Sequence, residues 1–135
     1  MELERDFPAD PVSVRRARTF VTDALAGTAV DTEVVRLLTS ELATNAVLHA
    51  QTSFRVRLRT EPSIVRVEVI NDEPELLLAM REPSERGGRG LRLVEDLSVG
   101  WGAESSRDDK VVWFEVPASG SGDVRGSGGD DGRRL

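Results

Sequence analysis

The most informative segment of the chain carries polar side chains at helical spacing. Glu41, Asn45 and His49 follow one another at intervals of four residues. At about 100° per residue, with Val34 taken as zero, they fall near 340°, 20° and 60° on one side of a helix. Carboxylate and amide oxygens suit a magnesium ion whose octahedron is completed by the phosphates of a substrate.

The same arc of this helix is predicted to be its buried face, because four leucines share it: Leu37, Leu38, Leu42 and Leu48. Burying a carboxylate without a partner costs several kcal/mol, so the polar groups need compensation. One interpretation is structural: the three side chains bond to one another or to the backbone. The other is a binding site, which we favour because three polar groups are aligned rather than one.

A glycine-rich loop is the second candidate feature. Gly87-Gly88-Arg89-Gly90-Leu91 leads into a predicted short helix, Leu91–Leu97. Backbone N–H groups at such a helix start attract phosphate, although a flexible turn is the alternative. The loop is not a Walker A motif, because no Gly-Lys-Ser/Thr follows, and it does not match the dinucleotide fingerprint.

The third feature is the sequence Asn71-Asp72-Glu73-Pro74, at the end of a predicted strand. A carboxylate at a strand end can accept a hydrogen bond from an exocyclic amine of a base. The alternative is a simple turn, since Asn, Asp and Pro all favour turns.

The elements that must position these residues follow from local patterns. Residues 14–25, beginning near Pro11 and Ser13, predict one helix, and Asp31 is expected to cap a second that extends to about Ala50. Alternating apolar and polar residues predict a hairpin and two further strands. Helices on one face of an antiparallel or mixed sheet make a two-layer α+β sandwich. The strands are Phe54–Thr60, Ile64–Ile70, Val99–Ala103 and Val111–Val116.

Composition limits the class of protein. The chain has 135 residues, 39% of them hydrophobic, which suits one packed domain. With no cysteine and one histidine, disulfides and multi-histidine metal sites are excluded. A net charge of −6 argues against nucleic acid as a direct partner. Neither a signal peptide nor a membrane helix is recognisable, so a cytoplasmic protein is expected.

The C-terminal region differs in composition from the rest of the chain. From Ala118 onward Gly, Ser, Asp and Arg predominate, and such a segment has little apolar surface to bury. We therefore expect a folded domain over residues 1–117 and a disordered tail over residues 118–135.

In this order, the three features resemble the nucleotide-binding boxes of the GHKL ATPase domains, which have the Bergerat ATP-binding fold. The segment from Glu41 to His49 resembles the N box, 69–72 the first glycine box and 88–91 the second, while 109–116 is similar to the closing strand. The resemblance implies ATP and Mg²⁺ as cofactors and these roles: Glu41 as general base, Asn45 as magnesium ligand, His49 as a nucleotide contact, Asp72 on the adenine amine, and Gly88, Arg89, Gly90 and Leu91 over the phosphates.

The chain resembles short actinobacterial relatives akin to anti-sigma-factor serine/threonine kinases. This implies transfer of the ATP γ-phosphate to a serine of an anti-anti-sigma-type protein, sequestration of a sigma factor, or both. It implies no membrane partner, and relatives often form homodimers. An autophosphorylating histidine kinase is disfavoured, because His49 lies inside the N box.

Two departures from the family pattern keep a second function open. Pro74 replaces a glycine of the first box, and Lys110-Val111 stands where the closing strand usually starts with threonine. Both changes affect the adenine side of the site. The alternative function is therefore a nucleotide-responsive binding switch with little kinase turnover.

Overall fold

The computed structural model describes residues 1–50, 52–71, 94–105 and 109–119, except for the side chains of residues 49 and 50. Its helices are α1 (Val12–Ala24) and α2 (Thr32–Asn45), followed by a π-helical turn (Ala46–Ala50). Residues 94–97 are also helical. The strands are β1 (Glu2–Phe7), β2 (Phe54–Thr60), β3 (Ile64–Asn71), β4 (Gly100–Ser105) and β5 (Lys110–Pro117). Within these residues, no helix has the length and apolar character needed to cross a membrane.

The strands form one sheet of five in the order β1-β2-β3-β5-β4, and every neighbouring pair is antiparallel. The predicted hairpin and the two later strands are confirmed: β2 has the predicted bounds, and the ends of the other three strands differ from the prediction by at most two residues. Strand β1 was not predicted. Its sequence offers only Leu3 and Phe7 as apolar residues, so alternation is weak, and the strand depends on pairing with β2 far along the chain.

Both helices begin as the sequence predicts. Helix α1 follows Pro11, and after its end Gly27 takes a φ of +84°, a conformation that glycine adopts without strain. The Asp31 carboxylate accepts a hydrogen bond from the backbone N–H of Val34 at 3.3 Å, which confirms the predicted N-cap. Glu33 in the first turn adds a favourable charge at the positive end of the helix dipole.

The two helices pack against each other and cover one face of the sheet, as the two-layer prediction requires. Alternate residues of the central strands supply the sheet's share of this core, and α1 and α2 supply the rest. The fully buried members with the largest side chains are Phe114, Leu25, Leu38, Leu42 and Leu58.

The opposite face of the sheet carries a network of ion pairs. Glu68 is only 5% exposed, and its carboxylate accepts hydrogen bonds from Arg57 at 2.9 Å and Arg66 at 2.8 Å. Arg66 also donates to Glu115 at 3.0 Å. Burial lowers the pKa of Arg66, but its bonds to the two carboxylates outweigh burial and raise the pKa above the ordinary value. The carboxylates of Glu68 and Glu115 therefore stabilise the charged form of the Arg66 guanidinium.

Candidate nucleotide-binding site

Glu41 and Asn45 lie one turn apart on α2, and both are half-buried. The prediction that they occupy the middle of the buried face is wrong. Leu37 is 39% exposed and Leu48 is 62% exposed, whereas the buried positions of the helix are Val35, Leu38, Thr39, Leu42 and Ala43.

On the helical wheel of α2, the centre of the buried face therefore lies beyond Leu38, on the side away from Leu37 and Leu48. Glu41 and Asn45 lie at the border of this buried face. The small residues Ala43 and Ala46 pack inward, where the sequence pattern favoured the longer Leu37 and Leu48. A border position gives the Glu41 carboxylate access to water and to a ligand. The large desolvation cost expected from the sequence does not apply at such a position.

The α-helical geometry ends at Asn45, which corrects the predicted extension of α2 to Ala50. Residues Ala46–Ala50 form a π-helical turn. In such a turn each backbone hydrogen bond spans five residues rather than four. The α-helical wheel that aligned His49 with Asn45 therefore does not apply to residues 46–50. The His49 side chain lies outside the described residues. Single π-helical turns within helices occur frequently at functional sites.

Hydrogen bonds connect the end of β3 to the segment that follows the π-helical turn. Asn71 is 2% exposed, and its Nδ2 donates to Oγ1 of Thr52 and to the carbonyl oxygen of Ser53, both at 3.2 Å. Strand β3 also contacts the π-helical turn itself. The fold therefore brings the end of the N-box segment and the end of β3 to the same region of the molecule.

Asn71 was not among the predicted site residues, although its position in the strand pattern was visible in the sequence. Val65, Val67 and Val69 alternate toward the core, and Asn71 continues that alternation as a polar group. Of the predicted site residues, Asp72, Gly88, Arg89, Gly90 and Leu91 lie outside the described residues. Their proposed roles stay predictions.

A cavity of about 240 Å³ opens at this end of the sheet. Neither Glu41 nor Asn45 is among its described lining residues. Its wall is lined by strand-end residues and by the segment before β5, most of them polar: Asp6, Ser53, Phe54, Arg55, Ile70, Asn71 and Asp109.

The oxygens of Glu41 and Asn45 fit a magnesium–phosphate ligand better than a metal held by protein alone. Within the described ranges, no group of three or more His, Cys, Asp or Glu side chains could hold a metal ion. Magnesium commonly uses one or two protein oxygens, and substrate phosphates and water complete its shell. A half-buried amide one helical turn from a half-buried carboxylate is compatible with that arrangement.

Comparison with known proteins places the chain in a family. Residues 7–115 match the model of the histidine kinase-like ATPase domain. Among solved structures, the chain is similar to the histidine kinase domain of the blue-light activated histidine kinase from Erythrobacter litoralis EL346, with a TM-score of 0.52 and 21% identity. The match covers 84% of this chain and 62% of that one, so the chain spans less than two thirds of that domain. No curated protein matches the chain. The family match covers most of the chain and the fold agrees with it; the chain belongs to the histidine kinase-like ATPase domains of the GHKL type.

Proposed function

We propose that this domain binds Mg-ATP and transfers the γ-phosphate to a serine of an anti-anti-sigma-type protein partner. The observation that carries the proposal is the half-buried pair Glu41 and Asn45, one turn apart at the border of the buried face of α2. The family membership supports ATP as the ligand. Sequestration of a sigma factor by the same domain is compatible with this activity.

In the proposed reaction, Asn45 would hold a magnesium ion, which would neutralise phosphate charge. Glu41 accepts the proton of the serine hydroxyl as the new bond between serine Oγ and the γ-phosphorus forms. The bond from that phosphorus to the bridging oxygen of the β-phosphate breaks, and ADP leaves with the electron pair. Phosphoryl transfer depends mainly on positioning and charge neutralisation, for which few protein groups are needed.

A nucleotide-responsive binding switch is the second candidate function. The residues at the start of β5, the closing strand, favour it. Lys110, not Val111, has the strand position that faces the helices, because Val112, Phe114 and Val116 share its side. No hydroxyl therefore stands where the family usually carries one. A weaker contact with the adenine base would reduce the rate of phosphate transfer. It would not alter the surface that binds a protein partner.

Thermal unfolding with and without Mg-ATP tests nucleotide binding. At a ligand concentration of one hundred times Kd, linkage predicts a gain of about 2.7 kcal/mol in the free energy of unfolding. EDTA should remove most of the gain if magnesium takes part. The absence of any shift at millimolar Mg-ATP would refute both candidate functions. Binding without phosphorylation of any partner from the same organism would favour the switch.

A further inference from the structure

An open groove of about 420 Å³ lies between the edge strand β1 and helix α1. Its lining residues on α1 stand at positions i, i+3, i+4 and i+7, which share one face of a helix, and one further residue comes from β1. These residues are Val12, Arg15, Arg16, Thr19 and Arg5. Glu41 and Asn45 do not line this groove, so it is not part of the candidate nucleotide site.

The three arginines of the groove are exposed and have no carboxylate partner in the described part of the chain. Arg5 contacts the ring of Phe7, with its guanidinium carbon 5.6 Å from the ring centroid. Other arginines differ, because a carboxylate lies within 3.5 Å of each of Arg36, Arg55, Arg57, Arg59 and Arg66. In a chain with a net charge of −6, three such cations around one groove favour an external anion there.

The position of Arg15 and Arg16 on α1 adds to the positive potential of the groove. Both lie in the first two turns, near the positive end of the helix dipole, and the first turn holds no acidic residue. The carboxylate nearest to them in sequence, Asp10, accepts a hydrogen bond from the backbone N–H of Val12 at 3.1 Å. Cations are unfavourable at this end of a helix, and a bound carboxylate would relieve that repulsion.

The backbone of β1 offers hydrogen bonds beside the same groove. Met1 and Thr60 exchange N–H···O bonds, which fixes the alternation along the antiparallel pair of β1 and β2. The odd-numbered residues of β1 therefore direct their backbone groups at β2, and the even-numbered residues direct theirs away from it. Because β1 is the edge of the sheet, these outward groups have no strand partner among the described residues.

We propose that β1 binds an extended acidic segment of a partner protein, whose carboxylates pair with Arg5, Arg15 and Arg16. The segment adds to the free edge of β1 as a further strand and uses the outward N–H and C=O groups. Its side chains on the helix side lie beside Arg5 and face α1. Carboxylates and guanidinium groups form charge-assisted hydrogen bonds of matching geometry. This inference does not depend on nucleotide binding.

The outer face of β1 predicts a pattern in that segment. Successive side chains of an added strand alternate between the helix side and the outer face of the sheet. On the outer face they would meet the carboxylates of Glu2, Glu4 and Asp6, which pair with arginines of β2 and repel further acids. We therefore expect acidic residues at every second position, with uncharged or basic residues between them.

Binding of labelled peptides to the unaltered full chain, measured by fluorescence anisotropy without nucleotide, tests this pattern. The probe alternates glutamate and threonine, and the control has the same composition with all glutamates before all threonines. The alternating peptide should bind roughly 3–10-fold more tightly, because the control places acids beside the acidic row of β1. Equal affinities, or no binding of the alternating peptide, would overturn the inference.

Arginine variants identify the surface that binds the alternating peptide. Arg5→Gln, Arg15→Gln and Arg16→Gln should each weaken binding roughly 2–5-fold, since one exposed ion pair is lost. Arg36→Gln is the matched control, because it removes an exposed arginine from α2 and should leave the affinity unchanged. Thermal unfolding checks that all four variants fold. Equal effects of all four would show that the peptide responds only to net charge, and the inference would be wrong.

N-methylated peptides and a second polyanion test the edge pairing. Methylation of every second N–H removes the donors from one edge of an extended peptide. One of the two possible methylated peptides should therefore bind roughly tenfold more weakly, and the other should keep its affinity. Equal effects of the two methylation patterns would overturn the added strand. Single-stranded DNA of equal charge should bind more weakly than the alternating peptide, and equal or tighter binding would show a general anion site instead.

Discussion

At the scale of single residues, the site depends on which positions of α2 are buried against the rest of the domain and which are accessible to solvent. Glu41 and Asn45 lie at the border of the buried face, next to Leu42, which is 1% exposed. A border residue can be held by packing of its neighbours while its polar atoms remain accessible. This arrangement makes separate functional tests of the two residues practicable, because neither is a core residue.

Replacement of Glu41 by alanine should separate chemistry from binding. A base acts on the acceptor hydroxyl mainly in the transition state, so Glu41→Ala should retain most ATP affinity and lose most phosphorylation of the partner, typically 10²–10⁴-fold. The free energy of unfolding should change by less than about 1 kcal/mol, since the side chain lies at the border of the buried face and not in the core. Transfer of labelled phosphate and thermal unfolding are the two measurements.

Glu33→Ala is the matched control for this substitution. Glu33 is another carboxylate on α2, 77% exposed, and its pair with Arg36 is an exposed contact of small energetic value. It should retain both binding and transfer. If Glu41→Ala instead abolishes folding and binding together, the polar residues of α2 have a structural role.

Asn45→Asp should change the metal dependence of nucleotide binding. The amide oxygen is the proposed magnesium ligand, and a carboxylate in its place adds a negative charge close to the phosphates. We expect weaker ATP affinity at low magnesium and partial recovery at high magnesium. Titration of ATP at several magnesium concentrations measures the effect, and an unchanged magnesium dependence would contradict the assignment of Asn45 as a ligand.

At the scale of elements, the edge strand β4 is held against β5 by a close aromatic contact. The Trp113 ring lies over Gly102, and a Cβ added at Gly102 would approach its Cζ2 to 2.8 Å. The Arg66 guanidinium lies 4.0 Å from the centroid of the Trp113 ring. A side chain at position 102 would therefore collide with the Trp113 ring, and only glycine avoids this collision.

Gly102→Ala should consequently destabilise the sheet. The added methyl group must displace the indole ring, and overpacking of this kind costs about 1–3 kcal/mol. Gly100→Ala in the same strand is the control, because its Cβ would meet its neighbours at 3.7 and 3.8 Å, which is ordinary van der Waals contact. Denaturant unfolding compares the two variants, and equal stabilities would show that the ring moves without cost.

At the scale of the whole molecule, the N-terminal strand β1 forms one edge of the sheet. Phe7 is 2% exposed and its ring stacks on Phe54 with centroids 5.6 Å apart. The backbone of Met1 and Thr60 is hydrogen-bonded at the other end of the same pair of strands. At the C-terminal side, Ala118 still belongs to the packed part, since its N–H donates to the carbonyl oxygen of Ser63.

The two ends of the chain should therefore respond differently to truncation. Removal of residues 1–7 deletes an edge strand and a buried phenylalanine, so we expect a loss of at least about 3 kcal/mol in the free energy of unfolding. Removal of residues 120–135, which are rich in Gly, Ser and charged side chains, should leave stability and ATP binding unchanged. Thermal unfolding of both truncated chains checks this, and a marked loss on removing the C-terminal residues would show that they pack.

Most of the local elements and the family could be predicted from the amino-acid sequence. The cap at Asp31, the hairpin with its alternating residues and the segment from Glu41 to Asn45 were all predictable, because each depends on neighbours within a few residues. The roles of the glycine loop and of Asp72 rest on resemblance and stay predictions.

The folded structure was needed to show which side of α2 is buried, that residues 2–7 form a strand, and that Asn71 pairs with Lys110. The physical reason is the same in each case. Burial and strand register are set by partners distant in the chain, and a local pattern of apolar residues does not specify which of several acceptable faces or partners will be used.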